Sequence, residues 1–249
     1  MQVFYYLTKE LYFIFLGVFM SGFDYVERNY TELVREVGEI SRAVGVTCPK
    51  IVAVTKSGSD EELIALVRAG ADAIGENRPS ELSRRGELLA GNSLFPELHQ
   101  IGTLQSNKAK LVASSAALIH SLASYSLAKE LSRRGGMLGR DIPVLIEINS
   151  AKEEQKDGVM PEDAERFMES IAELPGIRTV GLMTMGPVVD DPEDIRKYYR
   201  LTKELFDRFV DSGCFGASPI LSMGMSDSYR VAIEEGSTLI RVGRRLFRK

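Results

Sequence analysis

Cysteine is scarce. Cys48 and Cys214 are the only two in 249 residues, far apart and in no metal-like spacing. That speaks against a disulfide framework and for a reducing cytoplasm. An excess of positive charge is also missing. Lys and Arg number 31 against 35 Asp and Glu, a net charge of −4, so no basic field exists to hold phosphates of nucleic acid and no such partner is expected. Histidine is nearly absent: His99 and His120 are the only two. With no third ligand type at metal spacing, no metal site is expected, and each is read as a core or hydrogen-bonding histidine. No low-complexity segment or internal repeat appears.

A bilayer-spanning run is missing as well. Residues 1–20 are rich in apolar side chains (Phe4, Tyr5, Tyr6, Leu11, Phe13, Ile14, Phe15, Leu16, Val18, Phe19). The run after Lys9 and Glu10 is about ten residues, whereas a spanning helix needs about 20. The first positive charge, Lys9, stands next to Glu10 inside the apolar run instead of before it, which argues against a secretory signal. Residues 1–20 are therefore read as an extension, dispensable or due to an upstream start codon, with Met20 as the functional start. A membrane anchor and an added packing element are the alternatives.

What is present is an ordinary globular composition, 44% hydrophobic and 27% charged, enough for a sizeable core. An amphipathic helix is expected over 24–44 (Tyr25, Val26, Tyr30, Leu33, Val37, Ile40). Eight short apolar runs follow: 51–55, 71–75, 98–102, 117–121, 144–149, 179–183, 220–222 and 238–242. Helical patterns separate them, over 60–69, 79–89, 107–113, 125–134, 161–174, 192–210 and 227–235, with glycines such as Gly70, Gly176 and Gly236 where helices should stop. Eight βα units without a composition break predict an α/β fold, one (β/α)₈ TIM-like barrel over residues 21–249. A doubly wound sheet is the runner-up, but no Gly-rich dinucleotide loop follows the first strand.

In such a barrel, function gathers at the strand C-termini. Lys56 stands at the first; a desolvated, neutral amine there would attack an aldehyde to give a Schiff base. From position alone, a lysine reaching out to solvent at a strand end is the plainer reading. Ser222-Met-Gly-Met-Ser226, running into a helical pattern, and Val242-Gly243 fall where barrels often bind phosphate, although Ser226 also fits an ordinary helix cap. Arg241 ends the last strand, facing in beside a ring nitrogen or out to solvent. The stretch 153–157 reads as a solvated loop, and Met183, Met185, Met223 and Met225 as core filling.

These segments, in this order, resemble the pyridoxal phosphate homeostasis protein family, related to the N-terminal barrel of alanine racemase. The likeness rests on Ala53-Val-Thr-Lys56, Gly75-Glu-Asn-Arg78, the run from His99 to Lys108, and Ile119-His-Ser-Leu122. It continues through Glu154 to Val159, Gly181-Leu-Met-Thr184, Leu221 to Ser226, and Ile240-Arg-Val-Gly243. The resemblance implies a barrel of the alanine racemase N-terminal type that binds pyridoxal 5′-phosphate (PLP). Lys56 would carry PLP as a Schiff base, Ser222 and Gly243 would hold its phosphate, Arg241 would face the pyridine nitrogen, and Asn77 would line the ring pocket. One departure is that Arg244-Arg245 follow Gly243 where family members commonly have Thr or Ser and then a small residue. An arginine can replace a hydroxyl donor with charge-assisted bonds.

The implied role is a cytoplasmic, non-catalytic carrier that buffers PLP or delivers it to PLP-requiring apo-enzymes, as a monomer or weak dimer. A PLP-dependent amino-acid racemase is the alternative. Racemisation needs a base on each face of the substrate, and Lys56 supplies one; a tyrosine such as Tyr229 could act in trans as the other, but nothing in the sequence positions it. A barrel enzyme acting on a phosphorylated sugar is the third reading, and it predicts no chromophore.

Overall fold

Apolar residues recur every three or four positions from Tyr25 to Ile40, and they build helix α1 (Asp24–Val44), which stops where Gly45 takes a left-handed φ of 79°. This begins the part of the chain that the computed structural model describes, residues 22–153 and 155–249. The extension and Glu154 lie outside the described residues.

All eight predicted strands form. They are β1 (Lys50–Val54), β2 (Ala73–Glu76), β3 (Glu97–Gln100), β4 (Leu118–Leu122), β5 (Ile142–Glu147), β6 (Ile177–Met183), β7 (Ile220–Ser222) and β8 (Leu239–Val242). Each pairs in parallel with its sequence neighbour, and β8 pairs with β1 from Lys50↔Leu239 to Ala53↔Val242, closing the barrel. Closure removes the doubly wound alternative. It also explains the unbroken apolar runs, because strands in such a ring are covered on both faces.

Around the ring run α2 (Asp60–Arg68), α3 (Pro79–Gly91), α4 (Tyr125–Leu138), α5 (Ala164–Ile171), α6 (Arg196–Asp211) and α7 (Tyr229–Glu234). Helix α1 lies against α2 and α7 and takes the place that a helix after β8 would fill. Its buried face packs on Leu66, Tyr229, Ile233, Ile240 and Leu246.

Four helical expectations change. The patterns over 161–174 and 192–210 open on 3₁₀ turns, Pro161–Asp163 and Pro192–Ile195, before α5 and α6 begin. The pattern over 107–113 is a 3₁₀ helix, Ser106–Leu111, which buries only Ala109. The last helix starts at Tyr229 instead of Asp227. Ser228 spends its hydroxyl on Met225 N at 3.1 Å and on the Tyr199 hydroxyl at 2.8 Å, holding 225–228 as a turn.

The ring's interior holds Val52, Val54, Ala73, Leu118, Leu145, Val180, Met183 and Leu239. One glycine sets which side chains face in. Gly181, at φ +154°, lies so close to β7 that a Cβ would stand 1.8 Å from the Ile220 carbonyl oxygen. Beside it the β5–β6 register shifts, so both Val180 and Met183 join the interior despite their odd spacing.

Candidate functional site

Lys56 stands two residues past β1 and is exposed, with its loop fixed from beneath. The Thr55 hydroxyl donates to Glu76 Oε1 at 2.5 Å, and Glu76 pairs with Arg85 of α3 at 2.9 Å, both buried. Arg85 also donates to Thr55 O at 2.6 Å and to Gly58 O at 2.8 Å. One buried guanidinium thus clasps the backbone on both sides of Lys56. Opening that loop would take two hydrogen bonds from a buried guanidinium, each worth about 1.5–3 kcal/mol for a bond to a charged group, and leave it only its pairing with Glu76. Gly58 lies against the Phe247 ring, where a Cβ would stand 2.5 Å from a ring carbon.

The strand order puts two other predicted residues beside this loop. Gly243 follows β8 so closely against β1 that a Cβ would meet Val54 O at 2.9 Å. Asn77 follows β2, and its backbone abuts Gly102. The buried Gln100 amide donates to Asn77 O at 3.0 Å and to Gly102 O at 2.9 Å, joining the two loops. The Asn77 side chain is exposed at the rim. Lys56, Asn77 and Gly243 therefore begin three adjacent loops.

Arg241 points into the barrel and is 4% exposed. Its Nη1 donates to Ser222 Oγ at 2.5 Å and its Nη2 to Thr184 O at 3.0 Å. Ser222 is fully buried and also bonds His120 Nδ1 at 3.1 Å. The structure thus brings Ser222 and Arg241 together beneath the rim, whereas the phosphate reading of Ser222 places it in a loop cradle. Four residues on, Ser226 Oγ accepts from Gly243 N at 3.3 Å and ties the loop after β7 to the loop after β8. Arg244 bonds Asp227 across the same two loops. Arg245 turns away, to Tyr229 Oη at 2.7 Å and Glu36 of α1 at 2.6 Å.

The interior is charged where it meets the rim. Glu147, the last residue of β5, is 6% exposed, and burial pushes its carboxyl up to about 7 against the pull of Arg241. Burial also lowers the Arg241 pKa, while Tyr199 and Glu147 oppose that shift; a guanidinium stays cationic all the same. Glu147 and Arg85 play no part in the sequence analysis, and Glu76 stands there only within the motif Gly75-Glu-Asn-Arg78. For Glu147 a signal was available: a carboxylate at the end of an otherwise apolar strand, two residues after the inward Leu145.

The family model of the alanine racemase N-terminal domain matches residues 29–248. A pyridoxal phosphate homeostasis protein of Aquifex aeolicus is 40% identical over 203 residues, which make up 82% of this chain and 88% of that relative. The solved structure of PipY from Synechococcus elongatus with PLP bound is 28% identical, with a TM-score of 0.72 over 80% of this chain and 92% of that one. Alanine racemase from Corynebacterium glutamicum, 17% identical with a TM-score of 0.69, shares the fold over 90% of this chain and 60% of its own.

Proposed function

The chain belongs to the family of the alanine racemase N-terminal domain, and within it to the pyridoxal phosphate homeostasis proteins, and from that premise we propose that it binds PLP on Lys56 and serves PLP homeostasis as a carrier. The observation that carries this reading is the clasp of Arg85 around the Lys56 loop, which presents an amine between the loops of Asn77 and Gly243. Bound PLP supplies an aldehyde that condenses with a neutral amine as a Schiff base.

The residues present fit that group. Gly243 leaves its backbone bare against β1, and the Ser226 hydroxyl beside it suits an anion between the two loops. In this reading Ser226 and Gly243 hold the phosphate with Arg244 at their edge, while Ser222 aims Arg241. The support is that Ser222 Oγ is buried and engaged by two partners. The cradle is loop backbone rather than a helix dipole, because α7 has only six residues. Arg241, unable to give up its proton, keeps a neighbouring pyridine nitrogen unprotonated.

That last property weakens the electron sink on which most PLP-dependent enzymes rely, and so favours a carrier. Tyr229, the candidate second base, bonds Arg245 and Glu36, and burial and Glu36 push its pKa up to about 12. Such a phenol is poorly suited to accept a proton near neutral pH. Buffering or delivery to apo-enzymes in the cytoplasm, by a monomer or weak dimer, completes the reading. The compartment part of it rests on Cys48 and Cys214, both exposed and free, as suits a reducing environment. Borohydride reduction of PLP-loaded protein and peptide mapping test it. The adduct should lie on Lys56; an adduct on Lys108 instead would overturn the assignment.

A further inference from the structure

A line of hydrogen bonds threads the barrel between its two ends. Lys50, first in β1, holds Glu97, first in β3, at 2.6 Å. Glu97 Oε2 lies 3.0 Å from His99 Nε2, and His99 Nδ1 lies 2.9 Å from His120 Nε2. His120 Nδ1 lies 3.1 Å from Ser222 Oγ, which lies 2.5 Å from Arg241 Nη1. Both imidazoles, Ser222 and Arg241 are buried. The proposed PLP site does not use either histidine directly.

The direction of every bond follows from what each group can donate. A guanidinium only donates, so Ser222 Oγ accepts from Arg241. An ionised carboxylate only accepts, so His99 carries its proton on Nε2 and gives it to Glu97. His99 Nδ1 is then an acceptor, which places the His120 proton on Nε2. His120 Nδ1 is left to accept, and the Ser222 hydroxyl fills it. A reversed chain, including one that starts from a doubly protonated His99, would point His120 Nδ1–H at Ser222 Oγ and leave the buried Ser222 proton without an acceptor, because its other partner, Arg241, only donates. Glu97 stays ionised because His99 and Lys50 hold its pKa down to about 2. Burial, His99 and Arg241 push His120 well below the usual histidine range, keeping it neutral.

We propose that His99 and His120 are positioning residues for Arg241: the polarised chain from Glu97 turns the Ser222 lone pairs toward the guanidinium and couples the PLP ring to the opposite end of the barrel. The inference rests on the PLP reading for its last link only. Reversing the chain would make Ser222 Oγ accept from His120 as well as from Arg241, leave its own proton with no acceptor in a buried site, and so loosen the seat of Arg241. Since Glu97 is half-exposed on the far face, it can be changed without touching the site.

The test uses ¹⁵N imidazole spectra of untagged protein, in which His99 and His120 are the only histidines. Without PLP, both should be neutral and protonated on Nε2 in the wild type. Glu97→Gln, whose amide can donate as well as accept, should mix the tautomers at both rings. With PLP, Glu97→Gln should shift the visible absorbance and speed PLP release about five-fold, the scale of one weakened hydrogen bond; Glu97→Asp should restore both. A wild-type His120 protonated on Nδ1 would overturn the chain. Mixed tautomers with unchanged absorbance and release would overturn the coupling. A wild type that forms no chromophore refutes the PLP reading and the coupling with it, while the tautomers measured without PLP judge the chain by itself.

Discussion

Replacing Glu147 by glutamine should make the protein more stable at high pH and leave it unchanged at low pH. The carboxyl sits at the end of β5, buried, and its pKa is raised from 4.5 to about 7, mainly by burial. A group with a raised folded pKa binds its proton more tightly when folded. Its contribution is therefore full below about 4.5 and fades as pH rises through about 7. At about 1.4 kcal/mol per pH unit, the loss comes to about 3 kcal/mol. Glutamine keeps the shape of the neutral acid and removes the titration. Urea unfolding of both proteins from pH 5 to pH 8.5 would read the difference through the midpoints. At pH 5, already above the unfolded pKa, the variant should lead by somewhat under about 1 kcal/mol, and above pH 7 by up to about 3 kcal/mol. A stability gap independent of pH would refute the argument, because it would mean that the buried carboxyl does not titrate in this window.

Other outcomes bear on the proposed function. Ser226→Ala should weaken PLP binding by about 1–2 kcal/mol, the usual scale for one lost donor, and leave pyridoxal nearly untouched; equal losses for both would remove Ser226 from the phosphate. Expression from Met20 should give a folded protein that still colours with PLP, since the ring of strands from Lys50 to Val242 closes without the extension; aggregation would show that residues 1–20 pack on the barrel. In D₂O, holo-protein in substrate amounts should exchange the Cα hydrogen of L-alanine negligibly. Many turnovers per minute, abolished by Lys56→Ala, would make the chain an enzyme.

The sequence by itself determined the barrel and the order of its rim. Eight apolar runs alternating with helical periods admit few parallel arrangements, and residues at strand ends meet at one edge whatever the finer packing. Lys56, Asn77 and Gly243 were legible for that reason. Which way the side chains inside the ring point was not. A strand covered on both faces shows no polar alternation to mark its inner side, and Gly181 shifts the β5–β6 register so that parity cannot simply be counted from one strand to the next. Only the closed structure turned Ser222 inward onto Arg241, buried Glu147 beside them, and joined His99 to His120 in a hydrogen-bonded chain that ends at Glu97. Apart from His99 and Glu97, which share β3, each of those contacts joins residues from different strands at a separation that local pattern does not encode, and the closure of the ring is what brings them within bonding distance.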